Sequence, residues 1–213
     1  MRSYVIRQGD YLTRLGARMG FDPQNVWDHP KNADLKARRK RWEVLAPGDV
    51  LAIPDDTRAP RPLAQGGQAR FVAKVPRVRV TLRYQADDGP LAGEPYVIDG
   101  LPEAIAGETG PDGVVHVDVP VIVSEFTLRF PQRQQRQRVR VGHLDPSDES
   151  GGIVQRLAHL GYLGLRDADG ASPGDGALRD AVQRFQRAAK LPATGALDAA
   201  TVDALRDAHG DGA

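Results

Sequence analysis

The chain has 213 residues, 40% of them hydrophobic and 27% charged, and its 29 basic and 28 acidic residues nearly cancel. That length accommodates one large domain or two to three small ones, and the balanced charge excludes a global field drawing the protein onto nucleic acid or an anionic bilayer. No cysteine is present, which removes disulfides, thiolate metal sites and any cysteine nucleophile.

In chain order, Ser3 to Arg7 is a short β-prone run. Gly9-Asp10 then precedes a helical pattern with Leu12, Leu15 and Met19 on one face, for which Asp10 is the expected N-cap. Gly20 is placed to end this helix in a left-handed conformation, and Asp22-Pro23 starts a second helix with a capping side chain and proline at the first helical position. Leu45 to Asp49 makes a turn and Val50 to Ile53 a second strand, closed by Pro54. The order strand, helix, helix, strand covers residues 1–56. Residues 57–68, rich in Pro, Gly and Gln, read as a linker.

The period then changes. Val78, Val80, Leu82 and Tyr84 alternate with Arg77, Arg79, Thr81 and Arg83, as do Val115, Val117, Val119 and Val121 after the turn Pro111-Asp112-Gly113. Phe126, Leu128 and Phe130 alternate likewise, and Glu94 to Ile98 and Arg136 to Val141 are shorter candidates. Short strands separated by Asp-Gly and Pro-Gly turns predict a small antiparallel β-sandwich at 69–141, and Ala69 to Arg140 is expected to fold alone. A second linker is expected at 142–152. From residue 153 to 213 the period is helical: Ile153, Leu157 and Leu160 on one stripe, and Leu178, Ala181, Val182, Phe185 and Ala189 on another. A third helix is capped by Asp198, with Leu197 expected to staple onto Val202. The fold class is thus multidomain α+β, ending in a three-helix bundle.

The residues Tyr4-Val5-Ile6, Gly9-Asp10-Tyr11-Leu12 and Leu45 to Pro54 resemble the LysM family, whose βααβ modules bind N-acetylglucosamine-containing glycans. The resemblance implies a shallow groove made by Gly9, Asp10, Tyr11, Leu12, Ala46, Pro47, Gly48 and Asp49. The last segment resembles the three-helix peptidoglycan-binding domains through Val154 to Leu157, Leu160-Gly161-Tyr162, Ala181 to Gln186 and Leu191 to Leu197. There the implied glycan contacts are Gly161, Tyr162, Phe185 and Gln186. The family's usual approach to the second helix is replaced by Asp169 to Gly176, so sugar affinity is expected mostly in the first segment. The middle segment is similar to transthyretin-like or carboxypeptidase-regulatory-like sandwiches on Gly89 to Gly93 and Thr109 to Gly113.

Taken together, Val26 to Asn32, Pro47-Gly48-Asp49, a sandwich and Gly142 to Pro146 resemble accessory proteins of contractile injection systems, type VI secretion among them. The resemblances imply a non-catalytic peptidoglycan-binding protein serving as accessory or cargo adaptor of such a spike. The alternatives are a purely structural protein-protein adaptor with degenerate glycan-binding domains, or an accessory subunit of a cell-wall hydrolase. The opening MRSYVIRQGD has no apolar segment, so synthesis in the bacterial cytoplasm without a signal peptide is expected. Action then follows at the envelope or periplasm after delivery, or in the cytoplasm as an adaptor. No run approaches the ~20 apolar residues of a membrane span.

No cofactor, metal site or catalytic residue is expected. Asp28-His29, His116 and Asp118 supply too few ligands for a metal, and Glu103 and Glu108 read as surface loop charges rather than a glycosidase pair. The basic runs Lys36 to Arg41 and Arg133 to Arg140 lack interleaved aromatics and read as solvated faces or protein contacts, with no nucleic-acid partner. Trp27 and Trp42 are open to core packing or to sugar stacking.

Overall fold

The computed structural model describes residues 1–39, 41–55, 74–86, 89–164 and 173–210. The expected linker at 57–68 and the segment Asp169 to Ser172 lie outside them. Two compact units are present, Met1–Glu43 with Gly48–His143, and Val44–Pro47 with Leu144–Ala213.

In the first unit, β1 (Arg2–Val5) pairs antiparallel with β2 (Val50–Ile53), and between them lie α1 (Leu12–Met19), α2 (Pro23–Trp27), a 3-10 turn (Pro30–Asn32) and α3 (Ala33–Arg39). Gly20 closes α1 with a φ of 83°, and Asp22 caps α2 by accepting from the Asn25 N–H at 3.1 Å, both as the sequence predicts. Asp10 does not cap α1: the cap position is Tyr11, and no side chain bonds there. Asp10 Oδ2 instead accepts from Tyr4 Oη at 2.8 Å and from the Arg7 N–H at 3.0 Å, closing the turn between β1 and α1. A carboxylate can satisfy either set of donors, and here it serves those of the tight turn.

Leu12 and Leu15 are fully buried on α1, as are Leu51 and Ile53 on β2, each burial contributing roughly 1.5–3 kcal/mol. Trp27 is core, only 5% exposed. Asn32, buried in the 3-10 turn, donates through Nδ2 to the carbonyls of Val26 (2.7 Å) and Ala52 (2.9 Å) and accepts the Ala52 N–H at 2.8 Å. One amide thereby ties α2 to β2, which its surface-typical residue type does not announce.

The remaining regular elements among the described residues of this unit are β-strands and one 3-10 turn, Pro131–Arg133. A four-stranded antiparallel sheet has the order β10 (Gln135–Arg140), β9 (Glu125–Phe130), β6 (Pro95–Asp99), β7 (Ile105–Glu108). A separate pair joins β3 (Arg77–Arg83) to β8 (Val114–Pro120), and β4 (Gln85–Ala86) pairs with β5 (Gly89–Pro90). The β3–β8 register sets Val78, Val80 and Leu82 opposite Val119, Val117 and Val115, inward, and Arg79 and Thr81 opposite Asp118 and His116, in solvent. Gly113, at φ 73°, lets Tyr84 donate to its carbonyl at 2.9 Å; a Cβ there would fall 2.3 Å from the Tyr84 carbonyl oxygen.

The two sheets share one core of Ile98, Val115, Val117, Val119, Phe126, Leu128 and Phe130. Tyr11 belongs to that same core and Ala17 packs against it, so the N-terminal elements and the sheets form one unit.

The second unit carries α4 (Ser150–His159), α5 (Asp175–Ala188) and α6 (Ala199–His209) around Ile153, Leu157, Ala181, Val182, Phe185 and Leu205. Helix α4 begins at Ser150, inside the expected linker, because Gly152 fits against the preceding chain: a Cβ there would lie 2.0 Å from the Pro146 carbonyl oxygen. Buried Arg156 fastens the same approach, its Nη1 donating to the carbonyls of Asp145 and Gly152, each at 2.8 Å. Asp198 caps α6, accepting the Thr201 N–H at 2.8 Å. No helix of the described residues is long and apolar enough to cross a membrane.

Candidate functional site

Of the residues the first resemblance assigns to a glycan groove, Gly9, Asp10, Tyr11, Leu12, Gly48 and Asp49 lie in the first unit, and Ala46 and Pro47 in the second. Most are covered. Tyr11 is 3% exposed, Leu12 is fully buried, and Ala46 is buried. Burial raises the Tyr11 phenol above its ordinary pKa, and its hydroxyl has no hydrogen-bond partner among the described residues, as befits a ring inserted for packing. Gly142 lies against that ring: a Cβ on it would meet Tyr11 Cδ1 at 2.5 Å.

Gly9 is equally enclosed. Its carbonyl accepts from Arg14 Nη1 at 2.8 Å, and a Cβ on it would be 3.0 Å from His143 Nε2. Asp49 is held in a bidentate ion pair by Arg39, whose Nε and Nη2 lie 2.8 and 3.1 Å from its carboxylate oxygens. Pro47 and Gly48 alone among the eight are exposed. The structure thus turns most of this set toward packing.

The four bundle residues divide differently. Gly161 is exposed, with open space where a Cβ would sit. Tyr162 stands half-buried, edge-on to Phe185 with ring centroids 5.5 Å apart, and Phe185 itself is core. Gln186 is fully buried. Its Nε2 donates to Thr194 Oγ1 (3.2 Å), the Ala196 carbonyl (2.9 Å) and Thr201 Oγ1 (2.9 Å), while its Oε1 accepts the Gly195 N–H at 2.8 Å. With both its nitrogen and its oxygen engaged inside the protein, Gln186 positions the chain from Thr194 to Thr201 instead of facing a ligand.

What that chain segment borders is a shallow, open cleft lined by Asp175, Leu178, Arg179, Val182, Gly195 and Leu197. Asp175, Leu178, Arg179 and Val182 follow the i, i+3, i+4, i+7 spacing of one helical face, and Gly195 and Leu197 come from the segment that Gln186 anchors. Leu197 stands 39% exposed, outside the buried core of the bundle. It is the one large exposed hydrophobic side chain among the described residues of the bundle. Sequence reading missed this site because Leu178 and Val182 also satisfy a core stripe, and the period of a helix does not say which flank of the stripe stays open.

The remaining candidates engage neighbours. Asp118 takes a bidentate contact from Arg79 (2.9 and 3.1 Å), which holds its carboxyl below the usual value, and His116 Nδ1 lies 3.1 Å from Thr81 Oγ1. Asp28 is likewise lowered, by hydrogen bonds from Gln24 and Lys36. Glu103 and Glu108 are exposed. Of the basic run, Lys36 pairs with Asp28, Arg38 and Arg39 with Asp49, and Arg41 with Glu43; Arg133 pairs with Glu94, and Arg138 and Arg140 with Glu125. Among the described residues no group of three or more His, Asp or Glu is placed to hold a metal ion.

Comparison with known proteins gives a match on the unit that holds the cleft: the family described as "Putative peptidoglycan binding domain" matches residues 151–205. No curated protein and no solved structure matches the chain. The matched stretch runs from just inside α4 through most of α6, so the similarity covers the three helices of this unit and no other part of the chain.

Proposed function

We propose that the chain is a non-catalytic peptidoglycan-binding protein whose bundle holds the ligand and whose N-terminal unit serves as a structural mount. The observation that carries this reading is the family match at 151–205 on a bundle with an exposed cleft. Burial of Tyr11, Leu12 and Asp49 supports the structural role of the first unit, since a sugar would have to displace packed side chains to reach them.

The finer role is accessory or cargo adaptor of a contractile injection, type VI secretion-like, spike. Its support is the order of segments read in the sequence. Strand β10 stands at the end of its sheet, the position at which a protein partner could add a strand.

Cosedimentation of the full chain with purified sacculi tests the binding, and the protein is expected in the pellet without release of muropeptides. Recovery in the supernatant at saturating sacculi overturns the binding reading, and released muropeptides overturn the non-catalytic one. For the adaptor role, a stable complex with a purified spike-tip protein is expected; its absence leaves a binding protein without that role.

A further inference from the structure

We infer that the cleft between the first two turns of α5 and the Gly195–Leu197 segment takes the peptide stem of peptidoglycan, gripped at a free carboxylate by Arg179. The inference rests on the reading that the bundle binds peptidoglycan and specifies which part of that polymer it holds.

Four observations carry it. First, Arg179 is exposed and makes no ion pair or hydrogen bond among the described residues, so its planar set of donors is open to a carboxylate. Second, the side chain is seated: its stem crosses Gly195, where a Cβ would lie 2.6 Å from Arg179 Cγ and 3.2 Å from Nε. Gly195 has a φ of 74° and is locked to Gln186, so the seat is fixed from beneath. Third, Asp175 lies one turn earlier on the same lining, presenting an anion beside the cation. Fourth, the surface around them is aliphatic: Leu178, half-buried, and Leu197, openly exposed, over a floor that Val182 closes from the core.

This arrangement fits a short peptide better than a sugar. Sugar faces are covered best by aromatic rings, and none lines the cleft; Tyr162 and Phe185 are turned on each other. A stem peptide offers small aliphatic side chains for Leu178 and Leu197, a carboxylate for Arg179, and the ammonium of its diamino acid for Asp175. The carboxylate has two sources, the stem's C-terminus and the side chain of a carboxylated diamino acid.

The test uses the full chain, with folding checked by circular dichroism, on intact sacculi and on glycan strands freed of stems by an amidase. Wild type is expected to bind intact sacculi and lose most binding on stripped strands. Arg179→Gln should weaken binding to intact sacculi about tenfold or more, Leu197→Ser should weaken it as well, and Arg179→Lys should restore part of it. Soluble stem peptides amidated at the C-terminus or at the diamino-acid side chain then identify the carboxylate, the one whose amidation costs affinity being the group held. If Arg179→Gln binds sacculi as wild type does, or stripped strands bind as well as intact ones, the peptide site is refuted while peptidoglycan binding stands. If wild type fails to bind intact sacculi, the parent reading falls and this one with it.

Discussion

Tyr11 shows how one side chain redirects a segment. In a groove it would have presented an apolar ring and a hydroxyl to a sugar; here the ring joins the core cluster that includes Phe126 and Leu128, and the hydroxyl has no partner among the described residues. A buried hydroxyl with no hydrogen bond is a cost, while the ring is a large stabilising contribution. Tyr11→Phe is therefore expected to be neutral or to stabilise by up to about 1 kcal/mol, whereas Tyr11→Ala should cost about 3–5 kcal/mol. Urea denaturation of the full chain followed by near-ultraviolet circular dichroism measures both, and a clearly destabilising Tyr11→Phe would reveal a partner for the hydroxyl. Gln186 is the counterpart in the bundle. The residue reads as a polar contact for ligand, yet its hydrogen bonds all run inward, to Gly195, Ala196 and Thr201, and hold that segment in place.

Among the elements, α6 offers the plainest electrostatic test. Its cap, Asp198, accepts from Thr201, and the hydrogen bonds from that residue's side chain and backbone hold the carboxyl below the ordinary value of 3.8. Because the folded-state value is depressed, the cap's contribution is present at pH values above the ordinary one and is lost as pH falls through the lower, folded value. Asp118 and Asp99, lowered by Arg79 and Arg129, act in the same direction on the sheets. Asp198→Asn keeps a capping oxygen but cannot titrate. Its thermal midpoint should fall less than that of wild type between pH 5 and about pH 2.5; identical acid profiles would show that the cap makes no measurable contribution.

For the whole molecule, the sharing of Tyr11 between the N-terminal elements and the sheets changes the expected modularity. Ala69 to Arg140 was expected to fold alone on its alternating strands and polar flanks. In the structure the core of those strands is completed from outside that range, by Tyr11 and by Val141. A fragment of residues 74–143 should consequently expose apolar surface and bind a hydrophobic dye, while residues 1–143, which keep Tyr11, should not. Equal and low dye binding by both fragments would restore the independent middle domain.

Local chemistry decided much of this protein in the sequence itself. Alternation located β3, β8 and β9, the Asp22-Pro23 and Asp198 signals located two helix starts, Gly20 located a helix end, and the motifs of the last segment pointed to the domain that the family match finds at 151–205. These features depend on a few adjacent residues, and a one-dimensional string carries them intact. Tertiary structure alone decided which donors Asp10 would serve, that Tyr11 would fill a core formed by strands about a hundred residues away, and that Asp49 would be spent on Arg39. It also decided that Leu197 would be left in solvent on the same lining as Arg179, which makes no ion pair among the described residues. Each of these is a competition among partners distant in sequence, settled by which groups the folded backbone brings within 3 to 4 Å, and residue type by itself does not encode that outcome.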